Sequence, residues 1–93
     1  MNEIRVGVIG LGSIGLRMLA AFEEHPDFVA TRAWDPRLEA VEAARAAFPD
    51  LRIADCAGEV TGTPGLDLVY VACPPEHHAA YALAARSTDK AVL

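Results

Sequence analysis

Short runs dense in apolar and β-branched residues alternate along this chain with longer runs rich in alanine and glutamate. The first short run, IRVGVI at residues 4–9, is almost continuously apolar, as a strand buried on both faces requires. GLGSIG follows, and then Ile14, Met18 and Phe22 recur at i, i+4 and i+8, which predicts a helix with those three on its buried face. Pro26 sets the end of that helix near His25, because the residue before a proline disfavours helical geometry. FVATRAW at 28–34 predicts a second strand, in which Arg32 is out of keeping with a central position. Asp35 and Pro36 open a second helix, the first as a capping residue and the second suited to the first helical position. Leu38, Val41 and Phe48 form its buried stripe, and Pro49 lies just beyond its end. The remainder predicts a short strand at 52–54 and a turn-rich stretch at 58–65 preceded by a helical turn. A clear strand at 66–72, an Ala-rich helix at 76–86 and a final strand from Lys90 complete the pattern.

Strands alternating with helices in this way predict the α/β class and a doubly wound parallel sheet with strand order 3-2-1-4-5. With 93 residues, 53% of them apolar and 23% charged, the chain reads as one globular domain. A chain this short buries only about 60–65% of its unfolded surface, so its stability margin is narrow. The net charge of −5 and scattered basic residues give no electrostatic basis for binding nucleic acid or an anionic membrane. Arg5 followed by VGVIGLGSIGL could imitate a signal peptide, but Glu3 sits in the would-be basic region and glycines interrupt the apolar run. No apolar stretch reaches the length of a membrane span. Cys56 and Cys73 form no CxxC pair, which fits a reducing compartment and a cytoplasmic location.

Candidate chemistry begins at Gly10, Gly12 and Gly15, which spell G-x-G-x-x-G after a predicted strand and at the opening of a helix. That context turns a weak string into the fingerprint of a dinucleotide-binding Rossmann-type fold. Gly10 permits the tight turn, Gly12 lets a pyrophosphate approach the backbone, and Gly15 allows the helix to pack closely on the sheet. The amides around Ser13 and Ile14, at the positive end of the helix dipole, would hold the diphosphate. Asp35, twenty positions past the last glycine, would accept hydrogen bonds from the adenosine ribose. The plainer reading is a tight strand–helix connection in which Asp35 only caps a helix. A carboxylate at position 35 disfavours the 2′-phosphate of NADP and so favours NAD. Arg37 keeps NADP open if it swings toward that phosphate; otherwise it is a solvated residue of the first helical turn.

The stretch CPPEHH at 73–78 gathers a thiol, a carboxylate and two imidazoles. His77 and His78 are adjacent and would point about 100° apart on a helix, so they do not converge on a metal. The segment falls instead at a carboxyl end of the same sheet, where doubly wound folds bind ligands.

Taken together, VGVIGLGSIG, the acid in WDPR and GLDLVYVACPPEHHAAYALAARSTDKAVL resemble the N-terminal domain of the glucose–fructose oxidoreductase, inositol dehydrogenase and MocA-like family. The resemblance covers the whole chain. It implies NAD as cofactor with NADP possible, and it places Cys73, Pro74, Pro75 and His78 at a Thr-Pro-Asn-x-x-His type of loop beside the nicotinamide ribose. Asp89, Lys90 and Val92 match a following Gly-Lys-x-Val strand. Cys73 and Pro75 depart from the family's Thr and Asn, which removes side-chain hydrogen bonds from those positions. The family's catalytic lysine, in a Glu-Lys-Pro motif, and its substrate domain would follow Leu93. The expectation is therefore a cofactor-binding fragment without catalytic or metal-binding residues of its own. It would self-associate through the last strand, and its parent would move hydride between a sugar or polyol hydroxyl and the nicotinamide. A β-hydroxyacid dehydrogenase cofactor domain and a stand-alone nucleotide-binding sensor are the alternatives.

Overall fold

The computed structural model describes residues 3–72 and the backbone of residues 91–92. Its elements are β1 (Ile4–Ile9), α1 (Ser13–Glu24), β2 (Phe28–Trp34), α2 (Leu38–Ala47), β3 (Arg52–Ile53), α3 (Ala57–Thr61), β4 (Leu68–Val71) and β5 (Ala91–Val92). The strands form one sheet in the order β3-β2-β1-β4-β5, and every neighbouring pair is parallel. This is the predicted doubly wound order. The helix expected at 76–86 lies outside the described residues.

Two apolar layers cover the two faces of the sheet. On one, Leu19 and Phe22 of α1 and Ala40, Val41 and Ala44 of α2 pack with Val6, Val8 and Ala33. On the other, Val60 of α3 and Leu66 pack with Ile9, Val69, Val71 and Ala54. Helices on both faces explain why β1 reads as continuously apolar: Val6, Val8 and Ile9 are each 1% exposed or less, and they point alternately into both layers.

Both long helices are rotated from the sequence expectation. In α1 the buried residues are Gly15, Leu19 and Phe22, and Ile14 is 59% exposed. In α2 the buried set is Ala40, Val41 and Ala44, whereas Leu38 is 68% exposed and Phe48 only partly buried. The cause in α1 is the contact of Gly15 with the preceding loop, described below, which turns Ile14 away by one residue's rotation. In α2 the residues that join the core are Ala40, Val41 and Ala44, one helical face away from Leu38. α3 begins at Ala57 and takes in the first part of the stretch expected to be turns.

The position of Arg32 has a structural cause. The register of β1 against β2 passes from Val6–Ala30 to Gly7–Arg32, so Thr31 is an extra, bulged residue. Beyond the bulge Ala33 faces the α1–α2 layer and Arg32 the opposite one, where α3 is only five residues long. Arg32 is therefore half-buried, and its Nη1 donates to the Thr31 carbonyl at 2.9 Å.

Candidate functional site

β1 ends between its two neighbours. The Gly10 amide donates to the Trp34 carbonyl at 2.8 Å, and the Ala72 amide donates to the Ile9 carbonyl at 2.7 Å. The ends of β2, β1 and β4 thus lie side by side at the point where strand order reverses, the crevice in which doubly wound sheets bind ligands. Gly10 turns the chain out of the strand with φ 104°, a conformation that side chains disfavour. Leu11 then drops into the core with 1% exposure. Gly12 is the N-cap of α1 and supplies no side-chain cap, and the first turn carries no acidic residue. The opening amides of α1 therefore have neither an intrahelical acceptor nor a capping oxygen, and Ser13 and Ile14 are exposed above them. Gly15 is buried, and a methyl group there would overlap the carbonyl oxygen of Gly10. The helix can meet the loop at this distance only because position 15 lacks a side chain.

Asp35 follows β2 and is 5% exposed. Its Oδ2 accepts from the Leu11 amide at 2.7 Å, and its Oδ1 accepts from the Arg37 amide at 2.8 Å. The Arg37 guanidinium adds Nε to Oδ1 at 3.0 Å and Nη2 to Oδ2 at 3.1 Å. Asp35 is thus joined to the glycine loop rather than capping α2, which begins at Leu38 with Arg37 as its N-cap residue. The carboxylate turns back toward Leu11, so it cannot serve the α2 amides beyond Arg37. Arg37 itself is not merely solvated: besides its bonds to Asp35, its Nη2 would lie 3.3 Å from a Cβ built on Gly12. The guanidinium spans the crevice between the acid and the loop.

Burial works against ionisation of Asp35, but the Arg37 side chain, the Leu11 and Arg37 amides and the Arg37 charge together outweigh it and hold the carboxyl below its ordinary value. A depressed folded-state value means that the contribution is complete above the unfolded carboxyl's titration and is lost as pH falls through the folded one. Urea melts should therefore show the stability gap between the native protein and Asp35→Ala shrinking as pH drops from 7 to 3. A gap independent of pH would contradict this ionisation.

Gly10, Gly12, Ser13, Ile14 and Gly15 therefore lie beside Asp35 and Arg37 at one place. Cys73, Pro74, Pro75 and His78 lie outside the described residues, although Ala72 just before them has its Cβ 3.8 Å from a Cβ built on Gly15. The sequence reading missed Leu11, whose amide ties acid to loop. A backbone donor leaves no residue-type signal, and the buried side chain between two glycines was the available clue. A separate cavity of about 210 Å³, lined by Leu19, Phe28, Phe48 and Leu51 among others, lies at the opposite end of β2 and takes no part in this crevice.

Residues 4–93 match the family model of the Gfo/Idh/MocA oxidoreductases, described as an oxidoreductase family with an NAD-binding Rossmann fold. The chain belongs to that family. Among solved structures, myo-inositol dehydrogenase from Lactobacillus casei, in complex with NAD(H) and myo-inositol, is 27% identical with a TM-score of 0.89 over 97% of this chain. Biliverdin reductase from Synechocystis sp. PCC 6803, in complex with biliverdin and NADP+, is 25% identical with a TM-score of 0.91 over 96% of this chain. The chain spans 27% and 28% of the length of those two proteins. No individual curated protein matches the sequence. As a Gfo/Idh/MocA domain, the chain is an NAD(P)-binding Rossmann unit. Among the described residues no helix is long and apolar enough to cross a membrane.

Proposed function

We propose that the loop Gly10–Gly15 and Asp35 hold the adenosine diphosphate half of NAD(P) for an oxidoreductase acting on a sugar or polyol hydroxyl. One observation carries the site: the 2.7 Å bond from the Leu11 amide to Asp35, which fixes the acid beside the glycine turn. In this arrangement the free amides opening α1, at Ser13, Ile14 and Gly15, bind the diphosphate, and Asp35 receives the ribose hydroxyls. Cys73, Pro74, Pro75 and His78 would flank the nicotinamide half. When bound, the dinucleotide supplies the hydride chemistry; the residues of this domain bind and orient it. The polyol class is supported by the fold shared with a myo-inositol dehydrogenase.

Calorimetric titration of the protein with NAD and NADP tests the cofactor site, with saturable one-to-one binding expected. Absence of heat with either dinucleotide at millimolar concentration would reject it. Substrate class is read from NADH formation by the whole protein: cyclitols and sugars should support it, and turnover confined to β-hydroxy acids would contradict the polyol reading.

A further inference from the structure

We propose that Arg32 and Arg52, set side by side on the α3 face of the sheet, bind a phosphate group at a site separate from the dinucleotide crevice. The register of β2 against β3 makes the two arginines direct partners. Ile53 packs with the α1–α2 layer and Ala54 with the α3 layer, so alternation puts Arg52 on the α3 side, where Arg32 also points. For Arg32 this depends on the bulge. Phe28 and Ala30 pack with the α1–α2 layer, and unbroken alternation would send Arg32 there as well; the extra residue at Thr31 turns it to the other face.

Neither arginine is explained by the needs of the fold. β2 is an interior strand between β1 and β3, and Arg32 is half-buried in it. Its bond from Nη1 to the Thr31 carbonyl uses one of five N–H donors. Among the described residues the ion pair is Arg37–Asp35, so no carboxylate answers Arg32 or Arg52. Like charges on neighbouring strands repel and destabilise a sheet. Next in the row is Gly7, where an added Cβ would lie 2.7 Å from Val60 and 2.8 Å from Leu66, so apolar side chains wall that end. The other end is open, because α3 is five residues long and Arg52 is exposed.

The pair sets the ligand's chemistry. One guanidinium fork is satisfied by a carboxylate, with its single charge and two oxygens. Two adjacent guanidinium groups match a phosphate, which carries a charge of about −1.5 to −2 and three acceptor oxygens. The net charge of −5 repels an extended polyanion, which leaves a small phosphate or phosphomonoester. Trp34, next on this face toward the strand ends, packs with the α3-side layer and stands between the arginines and the crevice.

The test is a nitrogen–proton correlation titration with inorganic phosphate and with methyl phosphate, at constant ionic strength, on the native protein, Arg32→Gln and Arg52→Gln. Signals of Thr31–Ala33 and Arg52–Ile53 should shift and saturate, equally with and without millimolar NAD. Arg32→Gln should weaken binding about 10–100-fold, through loss of charge-assisted bonds at a half-buried position. Arg52→Gln, exposed and with no bond to lose, should melt as the native protein does and weaken binding about 3–5-fold. Tighter binding of inorganic phosphate would identify the free ion as ligand, and tighter binding of methyl phosphate an ester; either supports the site. Shifts that chloride reproduces, that fail to saturate, that NAD abolishes or that persist unchanged in Arg52→Gln would overturn it. So would a glutamate-rich peptide that binds these residues more tightly than phosphate, which would make the face a protein-docking surface.

Discussion

Gly15→Ala should abolish measurable dinucleotide binding and lower the melting temperature. The methyl group would overlap the Gly10 carbonyl oxygen and lie 2.9 Å from its carbon. Both are backbone atoms, so no side-chain rotation relieves the clash. Gly10 cannot retreat easily, because its own amide is bonded to Trp34 at 2.8 Å and its φ is 104°. The helix must move instead, which separates the α1 amides from the loop and loosens Leu19 and Phe22 in the core. Overpacking of this kind costs about 1–3 kcal/mol where side chains can adjust and at least the upper end where backbone must move. For a domain of this size the melting temperature should fall by roughly 10–20 °C. Thermal melts followed by titration read both effects. A variant that binds NAD within about threefold of the native protein would show that the close approach of loop and helix is not what forms the site.

Asp35→Ala should destabilise the protein by about 2–4 kcal/mol and weaken NAD binding at least tenfold. Removing the carboxylate leaves the Leu11 and Arg37 amides without their acceptor, and Leu11 is buried. Each buried orphaned donor costs about 1–3 kcal/mol. The half-exposed guanidinium bonds add little, since solvent screens them and Arg37 can turn to water. Asp35→Asn should fall between the two proteins, because its amide oxygen can still accept from one of these donors. If Asp35 were only a helix cap, alanine would cost about 1 kcal/mol and leave NAD binding untouched. Chemical denaturation and calorimetry on the same three proteins separate these outcomes.

The parts of this fold that were legible in the sequence are those where a residue type answers a backbone demand. Strand β1 begins and ends where its apolar run does, because a strand covered on both faces admits few polar residues. Gly10 and Gly15 announce a turn and a close contact that other residues cannot make. The faces of the helices were not legible. In α1, Ile14, Leu16, Met18, Leu19 and Phe22 support more than one 3.6-residue stripe, and the choice depends on where Gly15 is pressed against Gly10. In α2 the alanines at 40 and 44 carry no strong hydrophobic signal, yet with Val41 they are the buried residues of the helix.

The candidate site divides in the same way. Its acid was found by spacing from the glycines, but the use of that acid was not. Capping by Asp35 was a fair expectation from a local pattern, and it failed because the nearest donor in space comes from Leu11, 24 positions earlier. The bonds from Arg37 to Asp35 were also invisible, since pairing at i+2 depends on the extended backbone at the N-cap.

On the proposed reading, the amides of Ser13, Ile14 and Gly15, together with Asp35, form the binding surface for the dinucleotide. The most direct measurement is the same NAD titration read amide by amide in a nitrogen–proton correlation spectrum. Signals of Gly10–Leu16 and of Asp35 and Arg37 should shift together and saturate with one constant, while Phe48 and Leu51 around the distant cavity stay still. Saturating shifts confined to the Phe48–Leu51 region, or spread over the chain with the glycine loop unmoved, would contradict it.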